Sequence, residues 1–124
     1  MSKTLRYRVM AMSDEELDAK ARELTGRREE MERERLLGKP MYIVWSPSTD
    51  IAPAWDLTAL PDGKRLSVYA SEDNSQWWAG VMRANAGGDY WWDVGPIEAD
   101  TAARAITRAF VMAQMAAAEE GEED

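Results

Sequence analysis

The chain has 124 residues, a net charge of −8, and neither cysteine nor histidine. This length suits one domain with a real core. The two missing residue types exclude disulfides, thiolate nucleophiles, thiolate zinc sites and imidazole catalysis. Because no GxGxxG, GxxxxGK[ST] or EF-hand pattern occurs either, an enzyme is the poorer interpretation. An enzyme using Asp50, Asp56, Asp89 and Asp93 around a divalent cation stays a lesser alternative, and we predict no catalytic residue, metal or cofactor.

Acidic residues are concentrated at the C-terminus. The last six residues, EEGEED, hold five carboxylates, which account for −5 of the net charge and leave −3 for the rest. We predict a single domain over residues 1–118 and a disordered acidic tail over 119–124. Because the sequence shows no basic face, we predict no nucleic-acid partner. Without a long apolar segment or a signal peptide, we expect no membrane partner and a cytoplasmic location.

Two helices are predicted in the first third of the chain. Ser13 and Glu16 form an SxxE capping box at the start of a helix over residues 13–23. After Gly26, the charged segment RREEMERERLL predicts an exposed helix, which we interpret as part of a charged helical insertion at 27–39. MYIVW, residues 41–45, then predicts a short buried strand because it is β-branched and aromatic.

A short helix is predicted around residues 50–60. Pro53 fits only in the first turn of a helix, which places the N-cap at Asp50 or just before it. Ile51, Trp55 and Ala59 recur at four-residue spacing and predict the buried stripe of this helix. Both Trp45 and Trp55 are therefore assigned to the core.

Two hairpins are predicted after this helix. KRLSVYASE and WWAGVMRA form the first, around a two-residue turn at Asn74-Ser75, and Gly87-Gly88 leads to a third strand. Neighbouring residues on a strand point to opposite faces, so the pair Trp77-Trp78 sends one ring to each face, as does Trp91-Trp92. A slip of one residue in either register would exchange the two faces.

In the predicted register, one sheet face carries Leu66, Val68, Trp77 and Trp92. Trp92 then lies opposite Arg83. The other face carries Tyr69, Trp78, Met82 and Trp91. The final segment, EADTAARAITRAFVMAQMAAAEE, predicts a helix with Glu98 or Asp100 at its N-terminus. Its buried stripe holds Ala103, Ile106, Phe110, Ala113 and Ala117.

Three motifs, SDEELDAKA, PSTDIAPAWDL and EADTAARAITRAFVMA, follow one another along the chain. In this order they resemble the phage ABA sandwich domain family of tailed phages and prophages, over about residues 13–115. Pro53 and Thr107 depart from the alanine and cysteine that are more usual there. The resemblance implies an α+β fold, with a small, mostly antiparallel sheet packed with helices in a three-layer α/β/α sandwich. It also implies a phage origin, but no activity.

The second sheet face decides the functional interpretation. If helices cover it, its rings are core; if not, it is a homo-oligomer interface or a ligand wall. We favour counter-defence by sequestration of a nucleotide-derived immune signal in the cytoplasm of the infected bacterial host. The alternative is a protein-interaction module or an inhibitor of a host or phage protein. The candidate ligand-binding residues are Trp78, Trp91, Arg83, Tyr69, Arg65, Trp92, Arg104 and Arg108.

Overall fold

The computed structural model describes residues 3–38, 46–58, 64–84, 87 and 90–122. The elements in these ranges are α1 (Lys3–Ala11), α2 (Asp14–Thr25), α3 (Arg27–Leu36), α4 (Ile51–Asp56), β1 (Lys64–Ala70), β2 (Trp77–Ala84), β3 (Tyr90–Ala99) and α5 (Ala102–Glu122). The strands form one antiparallel sheet in the order β1-β2-β3. The predicted α+β class and small antiparallel sheet are therefore confirmed. The predicted strand at 41–45, with Trp45, lies outside the described residues.

Helix α5 is the centre of the fold. It packs against all three strands, and α1, α2 and α4 pack against α5. Because α5 has neighbours on several sides, nearly all its side chains from Ala103 to Ala113 are buried, which is broader than the predicted stripe. Within the described ranges, the helix packed on the sheet is α5, on one face, whereas the resemblance implies helices on both.

Helix α1 is an element that the sequence pattern did not predict. Leu5 and Val9, one helical turn apart, are its fully buried side chains, whereas Tyr7 is exposed. The Arg6 guanidinium also donates a hydrogen bond to the carbonyl of Pro96, 3.2 Å away. Two apolar residues thus attach this helix to the core, and such a short stripe gives little periodic signal.

Helix α2 begins as predicted. The Ser13 hydroxyl accepts a hydrogen bond from the Glu16 N–H, and the Glu16 carboxylate accepts one from the Ser13 N–H. Gly26, with φ 78°, ends the helix in the left-handed conformation that glycine adopts without strain. Inside the helix, the buried Asp18 carboxylate accepts a hydrogen bond from the Ser48 N–H at 2.8 Å. This contact fixes the turn before α4.

Helix α4 has the predicted N-cap but a different buried side. The Asp50 carboxylate accepts a hydrogen bond from the Ala52 N–H. Ala54 and Leu57 are buried, whereas Ile51 and Trp55 are exposed, Trp55 by 60%. The predicted stripe and the core assignment of Trp55 are therefore wrong. The small Ala54 side chain lets this six-residue helix approach α5 closely, and Trp55 on that side would hold the helices apart.

Helix α3 lies at the surface, and helix α5 extends to the last described residue. Helix α3 is exposed, as predicted, and Arg27 at its start forms an ion pair with Asp56 of α4 at 3.7 Å. At the start of α5, the Thr101 hydroxyl accepts the N–H of Arg104, so Thr101 provides the cap predicted for its acidic neighbours. Helix α5 continues to Glu122, into the predicted tail. No helix in the described ranges is long and apolar enough to cross a membrane.

Candidate functional site

The first hairpin keeps the predicted faces in a different register. Val68 lies opposite Ala79, and Ala70 lies opposite Trp77, a shift of two residues from the prediction. The loop is correspondingly longer, since the Ser71 N–H donates to the carbonyl of Gln76. A shift by two residues preserves the direction of every side chain. Trp77 therefore packs against the core, as predicted, and Trp78 points to the opposite face.

The second hairpin differs from its predicted register by one residue. Trp92 lies opposite Met82 instead of Arg83, and Arg83 lies opposite Trp91. Register shifts on either side of Val81 mark bulges in β3, which the sequence pattern did not reveal. The face predicted for Trp92 is therefore wrong, because Trp92 shares the face of Met82. The side chain of Trp91 lies outside the described residues.

Gly80 lies beneath the Trp92 ring. A Cβ atom on Gly80 would stand 2.6 Å from Cζ3 of Trp92 and 2.9 Å from the carbonyl oxygen of Val94. Both distances are shorter than real Cβ contacts, so the ring rests on bare backbone. Any larger residue at position 80 would therefore displace the Trp92 ring or the backbone of β3.

Three aromatic side chains share this side of the sheet. The Tyr69 and Trp78 rings are stacked, with centroids 5.8 Å apart and planes inclined by 21°. Tyr69 is 45% exposed and Trp92 is 41% exposed, and Trp78 and Met82 are half-buried. We call the surface formed by Tyr69, Trp78, Gly80, Met82 and Trp92 the aromatic face. Helix α5 packs on the opposite face, and the exposure of Tyr69 and Trp92 favours the alternative in which the second face is available for binding.

Two charged residues border the aromatic face. Arg65, a predicted ligand-binding residue, lies opposite Met82 and is exposed. Glu98, opposite Trp78, is also exposed, and its carboxylate accepts a hydrogen bond from the Gln76 amide at 2.8 Å. Glu98 was considered only as a helix-capping residue, because its place beside Trp78 depends on the bulges in β3.

Arg83 belongs to a different cluster, at the end of the sheet. Its guanidinium lies 3.2 Å from the Asp93 carboxylate, and the Lys64 ammonium lies 3.3 Å from the same oxygen. By strand alternation Arg83 shares the side of Val81, not that of Met82. Arg83 was predicted as a ligand-binding residue, and the structure places it away from the aromatic face.

Arg104 and Arg108, the other predicted cations, lie at the start of α5. Arg104 makes two hydrogen bonds to Asp14 of α2, at 2.8 and 2.9 Å, and also pairs with Asp100. The hydrogen bonds that Arg104 donates to the Asp14 carboxylate lower the pKa of Asp14 and raise the pKa of Arg104. Arg108 donates to the carbonyl of Glu98. Burial, followed by repulsion from Arg104, lowers the pKa of Arg108. Arg104 therefore joins α5 to α2, and Arg108 joins α5 to β3.

Other surface features offer weaker sites. A cavity of about 580 Å³ follows the charged side of α3, and one of about 300 Å³ is lined by Ser75, Gln76, Glu98, Ala99 and Asp100. Among the described side chains, no group of three acidic residues is arranged to hold a metal ion. The aromatic face therefore has the clearest binding chemistry on this part of the molecule.

The chain matches no known protein family, and no curated protein or solved structure is similar to it. The resemblance to the phage ABA sandwich domain family stays a prediction.

Proposed function

We propose that this protein is a non-catalytic binding protein that holds a nucleotide-type ligand on its aromatic face. The observation that carries the proposal is that exposed Tyr69 and Trp92 lie together with half-buried Trp78 on one side of an antiparallel sheet. Helix α5 packs the other side. RNA-binding domains present aromatic residues on open sheets in this way, and each stacked base contributes about 1–3 kcal/mol. This parallel is an analogy between architectures.

Charge favours a free nucleotide over a nucleic acid. A polymer is held by many basic contacts to its phosphates, and this chain carries a net charge of −8. Arg65 is the arginine on the aromatic face, beside Met82 in the row that ends at Trp92. One guanidinium suits the one or few phosphates of a free nucleotide, to which it can donate two parallel hydrogen bonds.

The predicted phage origin gives this binding a role. A protein that binds a nucleotide-derived immune signal without converting it would lower the concentration of that signal in the cytoplasm of the infected host. The described aromatic face offers rings and a guanidinium for this task. Stoichiometric capture by many copies would then replace turnover as the means of action.

A second candidate function is a protein-interaction module or an inhibitor of a host or phage protein. The observation that favours it is the shape of the aromatic face, which lies on an open sheet surface instead of a deep cleft. Small-molecule sites are usually concave, whereas protein interfaces are flatter and rich in aromatic residues.

A thermal-shift screen against linear and cyclic nucleotides, including cyclic ADP-ribose, tests the first candidate. A ligand at one hundred times its dissociation constant stabilises the folded state by about 2.7 kcal/mol. For a domain of this size we expect the midpoint of unfolding to rise by about 5–15 °C. Mass spectrometry of the ligand released from denatured protein should show an unmodified nucleotide.

Trp55 and Trp92, which are both exposed, provide a matched pair of variants. Trp92→Ala should abolish the shift, whereas Trp55→Ala, on the exposed side of α4, should leave it unchanged. If no nucleotide raises the unfolding midpoint of the native protein, sequestration is overturned and the interaction module becomes the better candidate. A chemically altered ligand would overturn the non-catalytic part of the proposal.

A further inference from the structure

The aromatic face of a single chain provides only half of a small-molecule site. Ligand sites usually bury about 70–90% of the ligand surface. A ring stacked on Trp92 or Tyr69 keeps its other side in water, because both residues are themselves more than 40% exposed. A second wall is therefore needed for tight binding.

The charges beside the aromatic face indicate what that wall is. Strand register places Arg65, Met82 and Trp92 in one row, and Tyr69, Trp78 and Glu98 in another. Arg65 and Glu98 thus occupy diagonal corners, two strands apart and four residues apart along β2. Standard sheet spacings convert this offset to about 10 Å across and about 13 Å along the strands. Backbone positions so far apart do not favour an ion pair between Arg65 and Glu98 of the same chain.

We infer that a second copy of this chain covers the aromatic face, with Arg65 of each copy against Glu98 of the other. A twofold axis in the plane of the face, along the diagonal from Tyr69 to Trp92, exchanges the two charged corners. The same operation brings each aromatic corner against its own counterpart. The strands of the two sheets then cross at roughly 70°, near the orthogonal class of sheet packing. Such a self-complementary surface is what a symmetric dimer requires.

The size of the aromatic face sets the expected strength of this dimer. Stable interfaces bury about 800 Å² on each partner, and obligate interfaces bury more. One face of a three-stranded sheet offers less surface than an obligate interface does. We therefore expect a weak dimer that a nucleotide strengthens by stacking between the two copies. The ligand part of this inference rests on the proposed function, whereas the pairing of Arg65 with Glu98 does not.

Exchange of the two charges tests the pairing. Sedimentation velocity over a concentration series, with and without cyclic ADP-ribose, should show a reversible dimer of the native chain. Arg65→Glu and Glu98→Arg should each raise the dimer dissociation constant about tenfold or more, because each replaces two attractive contacts with repulsive ones. Mixing the two variant proteins should restore dimers, since both contacts are then attractive again. A misfolded variant would not give this restoration.

Arg35→Glu, on exposed helix α3, is the matched charge control and should leave dimerisation unchanged. The inference is overturned if mixing does not restore dimers. It is also overturned if the native chain stays monomeric and binds one nucleotide per chain, a result that leaves the proposed function intact. Dimers that bind no nucleotide would support the pairing and overturn the proposed function.

Discussion

The two faces of the sheet are built from alternate residues of the same three strands. The inner face presents aliphatic side chains, such as Val81 and Ile97, which are fully buried beneath α5. The aromatic face also presents large apolar rings, yet Tyr69 and Trp92 remain more than 40% exposed. Apolar character alone therefore does not decide which face becomes core. Small and aliphatic side chains on the inner face let the alanine-rich α5 approach closely. The exposed rings of the aromatic face remain available to bind a ligand or a partner.

The largest expected effect is a difference between the two faces in how much a truncated side chain lowers the free energy of unfolding. Ile97→Ala opens a cavity under α5 and should lower the free energy of unfolding by about 3 kcal/mol. Tyr69→Ala removes a half-exposed ring and should cost about 1 kcal/mol, measured by the same denaturant titration. Equal losses would break the comparison, because they would mean that both faces are covered in the monomer.

A change at Gly80 should have an intermediate effect. Gly80→Ala places a methyl group 2.6 Å from the Trp92 ring, which must move, and overpacking of this kind costs about 1–3 kcal/mol. We expect lower stability in chemical denaturation together with a changed tryptophan emission spectrum. Gly95→Ala is the matched control, since a Cβ atom there meets nothing within 4 Å. If both variants behave alike, Trp92 does not rest on the backbone of β2.

The sequence predicted that each pair of adjacent tryptophans lies across the two faces, but it did not predict correctly which residues share a face in the second hairpin. The observed register of the first hairpin differs from the predicted one by two residues, so Trp77 and Trp78 lie on their predicted faces. The register of the second hairpin differs by one residue, so Trp92 lies on the aromatic face and not on the predicted inner face. Bulges in β3 caused that difference, and they arise from local backbone packing that alternation of side chains does not encode. The glycine inside β2 was the available signal for a ring lying across the strand.

The arginines were harder to assign because charge alone does not reveal a partner. Arg104 and Arg108 lie on one side of a correctly predicted helix, but α2 and the edge of β3 approach that side. Trp55 was wrong for a related reason, since its helix packs through the smaller Ala54. These outcomes depend on contacts between elements distant in sequence, whereas capping by Ser13 and Asp50 depends on neighbours and was predicted.

The loop at residues 71–76 keeps the two faces distinct by fixing the register of β1 and β2. Asp73 accepts hydrogen bonds from the Ser75 hydroxyl at 2.7 Å, the Ser71 hydroxyl at 2.8 Å and the Ser75 N–H at 3.1 Å. These hydrogen bonds lower the pKa of Asp73 to about 2 from an ordinary value of 3.8, and the bond from the Ser75 hydroxyl has the largest effect. Asn74 follows with a positive φ of 58°, which asparagine tolerates in turns.

The smallest expected effect is therefore a pH dependence of this loop. Because the folded pKa of Asp73 is depressed, its carboxylate stabilises the loop above about pH 4, and that contribution is lost as the pH falls through 2. Carbon-13 NMR should give a titration midpoint of about 2 for the Asp73 carboxyl. The double variant Ser71→Ala, Ser75→Ala should move this midpoint towards 3.8, because only the backbone donors of Ser75 and Asp73 remain. An unchanged midpoint in the double variant would show that the hydroxyl groups do not hold the loop. The register separating the two faces would then depend on cross-strand packing alone.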